Sequence, residues 1–163
     1  MITFLYVRFG EKALVGVEIG VAQGFNALTI LETLNIRQLY LVDPYEPYTD
    51  WGNRRVEGYV LARRESKVRL AKYRNIQFIY DYSTNAVNQI PDDLDFVYID
   101  GNHSYPFVKK DIELYYPKIK SRGVIGGHDY AVLDVQKAVR EFAKAHNDEI
   151  VHTQLRDWWI IKS

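Results

Sequence analysis

Residues 95–105, DFVYIDGNHSY, carry an unbroken apolar run, Phe96-Val97-Tyr98-Ile99, into a carboxylate and then into a glycine, an amide and an imidazole. A short continuous run of β-favouring residues reads as a strand covered on both faces, and such strands belong to parallel sheets with helices above and below. In open α/β sheets ligands sit beyond the carboxyl ends of the strands, so Asp100, Asn102 and His103 stand where chemistry is done. Residues 123–130, GVIGGHDY, repeat the form and end in His128 and Asp129. Two strands that both end in acid and imidazole point to one shared pocket.

The rest of the chain supports the same architecture. Residues 1–12 alternate too weakly to choose between a short strand and an irregular arm. Residues 13–19, ALVGVEI, read as a buried strand, followed by Gly20-Val21-Ala22-Gln23-Gly24 and a helix over about 26–34. Strand, glycine loop and helix form a nucleotide-binding opening. A second strand, 39–42, ends in Asp43, close to the ~20-residue spacing of a ribose-binding carboxylate. Residues 44–55 hold Pro, Gly, Asp and aromatics without apolar period and are expected to form a loop long enough to act as a lid. A surface helix is expected over about 56–73, with Val60, Leu61, Val68 and Leu70 as its narrow buried stripe and its basic residues on a solvated face.

A third strand, 76–80, ends in Asp81, and Ser83 is placed to cap a short helix through Gln89. Pro106 suits the first turn of a helix whose Val108, Ile112 and Tyr115 make one apolar face. After the strand at 124–127, Asp134 is the expected N-cap of a helix to about His146. Residues 149–155 and 158–162 then pair as an antiparallel hairpin. The expected fold is a Rossmann-like, doubly wound, mostly parallel seven-stranded sheet with a C-terminal antiparallel hairpin, filling one domain over residues 1–163.

Composition narrows the partners. Lys and Arg total 21, as do Asp and Glu, which gives no reason to expect nucleic acid or an anionic membrane and favours a small molecule. The absence of cysteine excludes disulfides and thiolate metal sites and fits an intracellular, cytoplasmic protein. Any metal must be held by oxygen and imidazole. No apolar run approaches the ~20 residues that span a bilayer, and the N-terminus lacks a signal-peptide pattern.

The glycine loop departs from the G-x-G-x-x-G of dinucleotide sites, and Glu18 stands in the strand before it, where it would repel a pyrophosphate and attract an ammonium or sulfonium. E-x-G-x-x-x-G, acids ending the second and third strands and a terminal hairpin resemble the class I S-adenosylmethionine-dependent methyltransferases, from about Leu14 onward. Asp100-Gly101-Asn102-His103-Ser104-Tyr105, Val108, Asp111 and Gly126-Gly127-His128-Asp129-Tyr130 resemble, within that class, the small-molecule O-methyltransferases of the macrolide-sugar and antibiotic-tailoring type. The resemblance implies S-adenosylmethionine as cofactor. Gly20 and Gly24 would admit its methionine end, Glu18 would sit near its amino group, Asp43 would accept from both ribose hydroxyls, and Asp81 with Tyr82 would flank the adenine.

The same resemblance implies Mg²⁺ or another divalent cation at Asp100, His128 and Asp129. His128 departs from an all-oxygen set and is either a ligand for a softer ion or an orienter of Asp129. His103 is the candidate general base, its alternative role being to hold the loop. Tyr105 and Tyr130 are expected to wall the pocket, and the aromatics of residues 45–51 either close over it or face solvent. Relatives commonly carry a helical cap before the first strand. With only about a dozen residues there, the pocket is expected to be open or to be completed by a partner subunit, as in a homo-oligomer. The competing functions are an NAD-dependent oxidoreductase on a similar sheet and a non-catalytic cofactor-binding module acting in a complex.

Overall fold

The computed structural model describes residues 1–50, 52, 54–56 (backbone only), 58–154 and 156–163. In chain order the elements are α1 (Ile2–Phe9), β1 (Leu14–Ile19), α2 (Phe25–Thr33), β2 (Ile36–Val42), β3 (Tyr48–Asp50), β4 (Arg54–Val56), α3 (Tyr59–Arg69) and β5 (Ile76–Ile79). Then follow α4 (Ser83–Ala86) with a 3-10 turn at Val87–Gln89, β6 (Leu94–Ile99), α5 (Tyr105–Tyr115), β7 (Ile119–Gly127), α6 (Leu133–His146), β8 (Ile150–Thr153) and β9 (Asp157–Ile161).

The main sheet has the order β5-β2-β1-β6-β7-β9-β8. Neighbours are parallel from β5 through β7, and β9 is antiparallel to both β7 and β8. β1 and β6, the two central strands, are buried along their whole length, as their continuous apolar runs require. Along β6 the side chains alternate, Val97 and Ile99 joining one core with α4, α5 and α6, and Phe96 and Tyr98 the other with α1 and α2. The mostly parallel sheet closed by a hairpin agrees with the expected fold. Among the described residues, no helix is long and apolar enough to cross a membrane.

Several local expectations are corrected. Residues 2–9 are helical, neither strand nor arm: Leu5 is buried and Phe4 stacks on Trp159 with ring centroids 5.0 Å apart. Exposed Tyr6 and Val7 hid that period. Residues 44–55 hold a two-stranded antiparallel ribbon, β3 with β4. In α3, Val60, Leu61 and Val68 face solvent, and the buried stripe runs through Tyr59, Ala62 and Ser66 to Leu70. Ser66 tolerates burial because Tyr45 Oη donates to its hydroxyl at 2.8 Å and it donates to the Arg63 carbonyl at 2.9 Å.

Asp134 is not an N-cap. It lies in the first turn of α6, after Val132, and accepts the Tyr105 amide at 2.9 Å, so it serves the start of α5 instead. Ser83 does not cap α4 either, since its hydroxyl donates to Asp111.

At the opposite end of the sheet Asp95, almost fully buried, accepts the Val15 amide at 2.8 Å and pairs with Lys12 at 3.1 Å and with Lys120. It ties the start of β6 to the start of β1. Replacing Asp95 with Ala should cost roughly 1–3 kcal/mol, the penalty of a buried donor left unpaired, read as a lowered denaturation midpoint.

Candidate active site

β1 ends against the end of β6, and the turn that follows has little room. Gly20 has φ +86, and a Cβ there would lie 2.1 Å from the Asp100 carbonyl oxygen, so no other residue fits without moving the backbone. The next two amides, Val21 and Ala22, donate to Asp43 Oδ2 at 3.0 and 2.9 Å, while Tyr45 donates its amide to Oδ1 at 2.8 Å. Asp43 thus braces the glycine loop as well as standing at the end of β2. Gly24, at φ +78, begins α2.

Glu18 is fully buried in β1. Asn26 donates to Oε1 at 3.0 Å, and Oε2 has no hydrogen-bond partner among the described residues. Burial pushes its carboxyl up to about 8, Asn26 opposing and the charges of Asp100 and Asp43 adding to the rise. A buried acid with an orphaned oxygen beside a glycine loop fits a ligand that brings a cationic donor.

A cavity of about 400 Å³ opens between the ends of β1 and β2 and the start of α5, with Gly20, Asp43, Tyr82, Ser83, Asn102 and Asp111 among its lining. Asp81 does not line it: its Oδ1 accepts the Tyr82 amide at 2.7 Å and Asn85 Nδ2 at 2.9 Å, which secures the start of α4. Tyr82 is half exposed at the rim and donates to Glu46 at 2.7 Å. Tyr48 and Thr49 of the ribbon border the same space. Trp51, the last aromatic of that expected lid, lies outside the described residues.

Beside the cavity is a cluster of acids around one imidazole. His103 Nδ1 is 3.0 Å from Asp50 Oδ2, and its amide donates to Asp50 Oδ1 at 2.7 Å. Nε2 is 3.0 Å from Asp129 Oδ2 and 3.4 Å from Asp100 Oδ1. Burial works against the charged ring, but Asp100, Asp129 and Asp50 outweigh it and push His103 up to about 10. The His103 hydrogen bond holds Asp129 down to about 2, whereas burial raises Asp100 against the pull of both histidines.

One ligand atom from each of Asp100, His103 and Asp129 lies within 4.8 Å of the others. Two carboxylates and an imidazole at that spacing suit a divalent cation. Asp129 holds its position in the left-handed region at φ 56, a conformation more tolerable for Asp than for most residues. His128 falls outside this group: its Nδ1 is 3.2 Å from Asp129 Oδ1, the geometry of an orienting contact.

Asn102 ties the loop together, accepting the Ser104 amide at 2.9 Å and donating to the Thr49 carbonyl at 2.9 Å. Tyr105 and Tyr130 do not line the cavity. Tyr105 donates to Glu141 on α6, and Tyr130 is buried and stacked on His152. Asp50 and Ser83 join the site without a signal of their own in the sequence. No periodicity marks Asp50 within its stretch of Pro, Gly and aromatics, and Ser83 has the composition of a helix cap. Asp111 had a signal, an acid on the apolar stripe of α5.

The family described as methyltransferase domain matches residues 17–130. No curated protein matches the chain. A Corynebacterium glutamicum protein is similar in structure with a TM-score of 0.73 at 18% identity, covering 99% of this chain and 78% of that one. The O-methyltransferase NovP has a TM-score of 0.71 at 16% identity, covering 99% and 79%. TomG of Streptomyces achromogenes, an O-methyltransferase of tomaymycin synthesis in complex with S-adenosylmethionine, has 0.71 at 10% identity, covering 99% and 79%. At these identities the likeness is one of fold.

The raised Glu18 carboxyl makes stability depend on pH. Between its ordinary value of 4.5 and about 8 the folded chain keeps a proton that the unfolded chain has lost, so this group's contribution falls as pH rises through that window. Glu18→Gln should therefore gain in melting temperature over the wild type as pH rises from 5, the difference levelling off above about 8. A pH-independent difference would contradict the assignment.

Proposed function

The chain belongs to the methyltransferase domain family, and on that premise we propose that it transfers the methyl group of S-adenosylmethionine to a hydroxyl of a small molecule. The observation that carries the reading is a juxtaposition within one turn. Gly101 and Asn102 line the cavity, while their chain neighbours Asp100 and His103 belong to the acid–imidazole cluster. Cofactor space and proton-handling groups thus adjoin at the end of β6.

S-adenosylmethionine, when bound, supplies an electrophilic methyl that needs alignment more than activation. Glu18 offers its unpartnered oxygen to the amino group, Asp43 offers its carboxylate to the ribose hydroxyls, and Tyr82 flanks the base. Gly20 and Gly24 let the backbone approach. A divalent cation held by Asp100 and Asp129 would neutralise the two acids and lower the pKa of a coordinated hydroxyl. His103, anchored at Nδ1 by Asp50, is held as an imidazolium by Asp100 and Asp129 in the free protein; with those two acids neutralised by a cation, the ring would release its proton and leave Nε2 to take that of the hydroxyl. His128 orients Asp129. The family match, with a glycine loop that lacks the G-x-G-x-x-G spacing, disfavours the NAD-linked alternative.

Titration calorimetry with S-adenosylhomocysteine should show binding, with the dissociation constant raised about tenfold, or ~1.4 kcal/mol, in Glu18→Gln. Asp100→Asn should abolish formation of S-adenosylhomocysteine from S-adenosylmethionine in the presence of hydroxyl acceptors while changing affinity less than about threefold. No heat with either nucleoside would refute the reading, and joint loss of affinity and turnover in Asp100→Asn would show that Asp100 is misplaced.

A further inference from the structure

Asp111 lines the cavity and takes no part in the chemistry above. It lies on α5 one turn beyond Phe107, on the stripe that also carries Val108 and Ile112, and is only 4% exposed. A carboxyl group at an apolar-stripe position is costly unless something pairs with it. The pairing inside the protein is incomplete. Ser83 Oγ donates to Oδ1, and among the described residues no group donates to Oδ2 and no cation pairs with it. Burial pushes Asp111 up to about 7, against a lowering by the Ser83 hydroxyl.

The surroundings combine apolar walls with one polar edge. Ser83 lines the same cavity, and Tyr115 Oη donates to its carbonyl at 3.0 Å, which fixes the residue in place. Val42, Pro44 and Phe107 supply apolar surface around the space. Asp81, the acid expected here from its place after β5, is occupied with α4. Asp111 is therefore the buried acid present at the end of the cavity formed by α4 and α5, while Asp43 stands at the end formed by β2.

Building on the cofactor reading, we propose that Asp111, positioned by Ser83, is the residue that reads the adenine of the cofactor, its Oδ2 accepting a hydrogen bond from the exocyclic 6-amino group. A ribose held at Asp43 leaves the base to fill the apolar space toward α5, with its amino edge directed at Asp111 Oδ2. A site built around a buried acceptor disfavours an analogue whose facing atom is itself an acceptor, because the buried oxygen is then left unpaired there. Replacing the 6-amino group by a 6-oxo group sets oxygen against carboxylate.

The test is calorimetry of S-adenosylhomocysteine against S-inosylhomocysteine at about pH 8.5, where Asp111 is ionised. The wild type should favour the adenosyl compound at least about thirtyfold, and Asp111→Asn, nearly isosteric and able to donate as well as accept, should reduce that to about threefold or less. Asp111→Leu should weaken the adenosyl compound about tenfold and leave little preference. Equal wild-type affinity for the two, or a preference that survives in Asp111→Asn, would overturn the assignment of Asp111 and leave the cofactor reading standing. Binding of neither compound would overturn both.

Discussion

Ile19 and Ile99 end neighbouring parallel strands, and just beyond them the Asp100 amide donates to the Ile19 carbonyl at 2.7 Å. That bond carries the β1–β6 ladder to the edge of the sheet, and the backbone just past it is so close that residue 20 must be glycine. Two loops of different purpose are brought side by side by this single approach. One runs from Gly20 into α2 and is braced by Asp43; the other runs from Asp100 through His103 into α5. Rotating or lengthening either strand end would separate the cavity from the cluster, so the glycine is a constraint on the site as much as on the chain.

A chain with equal numbers of acids and bases has gathered acids at the carboxyl ends of its strands. Glu18, Asp43, Asp100 and Asp129 lie at or just beyond the ends of β1, β2, β6 and β7, and Asp50 comes in from the ribbon. Carboxylates that close raise one another's pKa and are stable only with protons, hydrogen bonds or cations to balance them. The free protein uses all three means: a proton on Glu18, backbone amides on Asp43, and an imidazolium at His103. An ammonium at Glu18 and a divalent cation at Asp100 and Asp129 would each replace one of those balances.

The strand ends were legible because a buried parallel strand must be continuously apolar, so the first acid after each run is at the edge by default; Asp43, Asp100 and Asp129 follow from that alone. What depended on contacts far apart in the sequence was not. Asp50 meets His103 only because the ribbon folds over the end of β6, and nothing in Pro44 to Asp50 announces it. In α3, Val60, Leu61 and Val68 look like a buried stripe, yet Ser66 takes the buried place because Tyr45 and the Arg63 carbonyl satisfy its hydroxyl. Asp134 has the composition of a cap and serves the neighbouring helix. Hydrogen bonding between elements overrode local propensity in each case.

The proposed chemistry depends on one placement, the cofactor in the cavity with its reactive end toward the acid–imidazole cluster. Diffraction from crystals grown with S-adenosylhomocysteine tests it most directly. The predicted density puts the ribose hydroxyls on Asp43, the amino group at Glu18 and the sulfur on the side of Asp100 and His103. Density elsewhere on the molecule, or a ligand in this cavity with its sulfur turned away from Asp100, would contradict it.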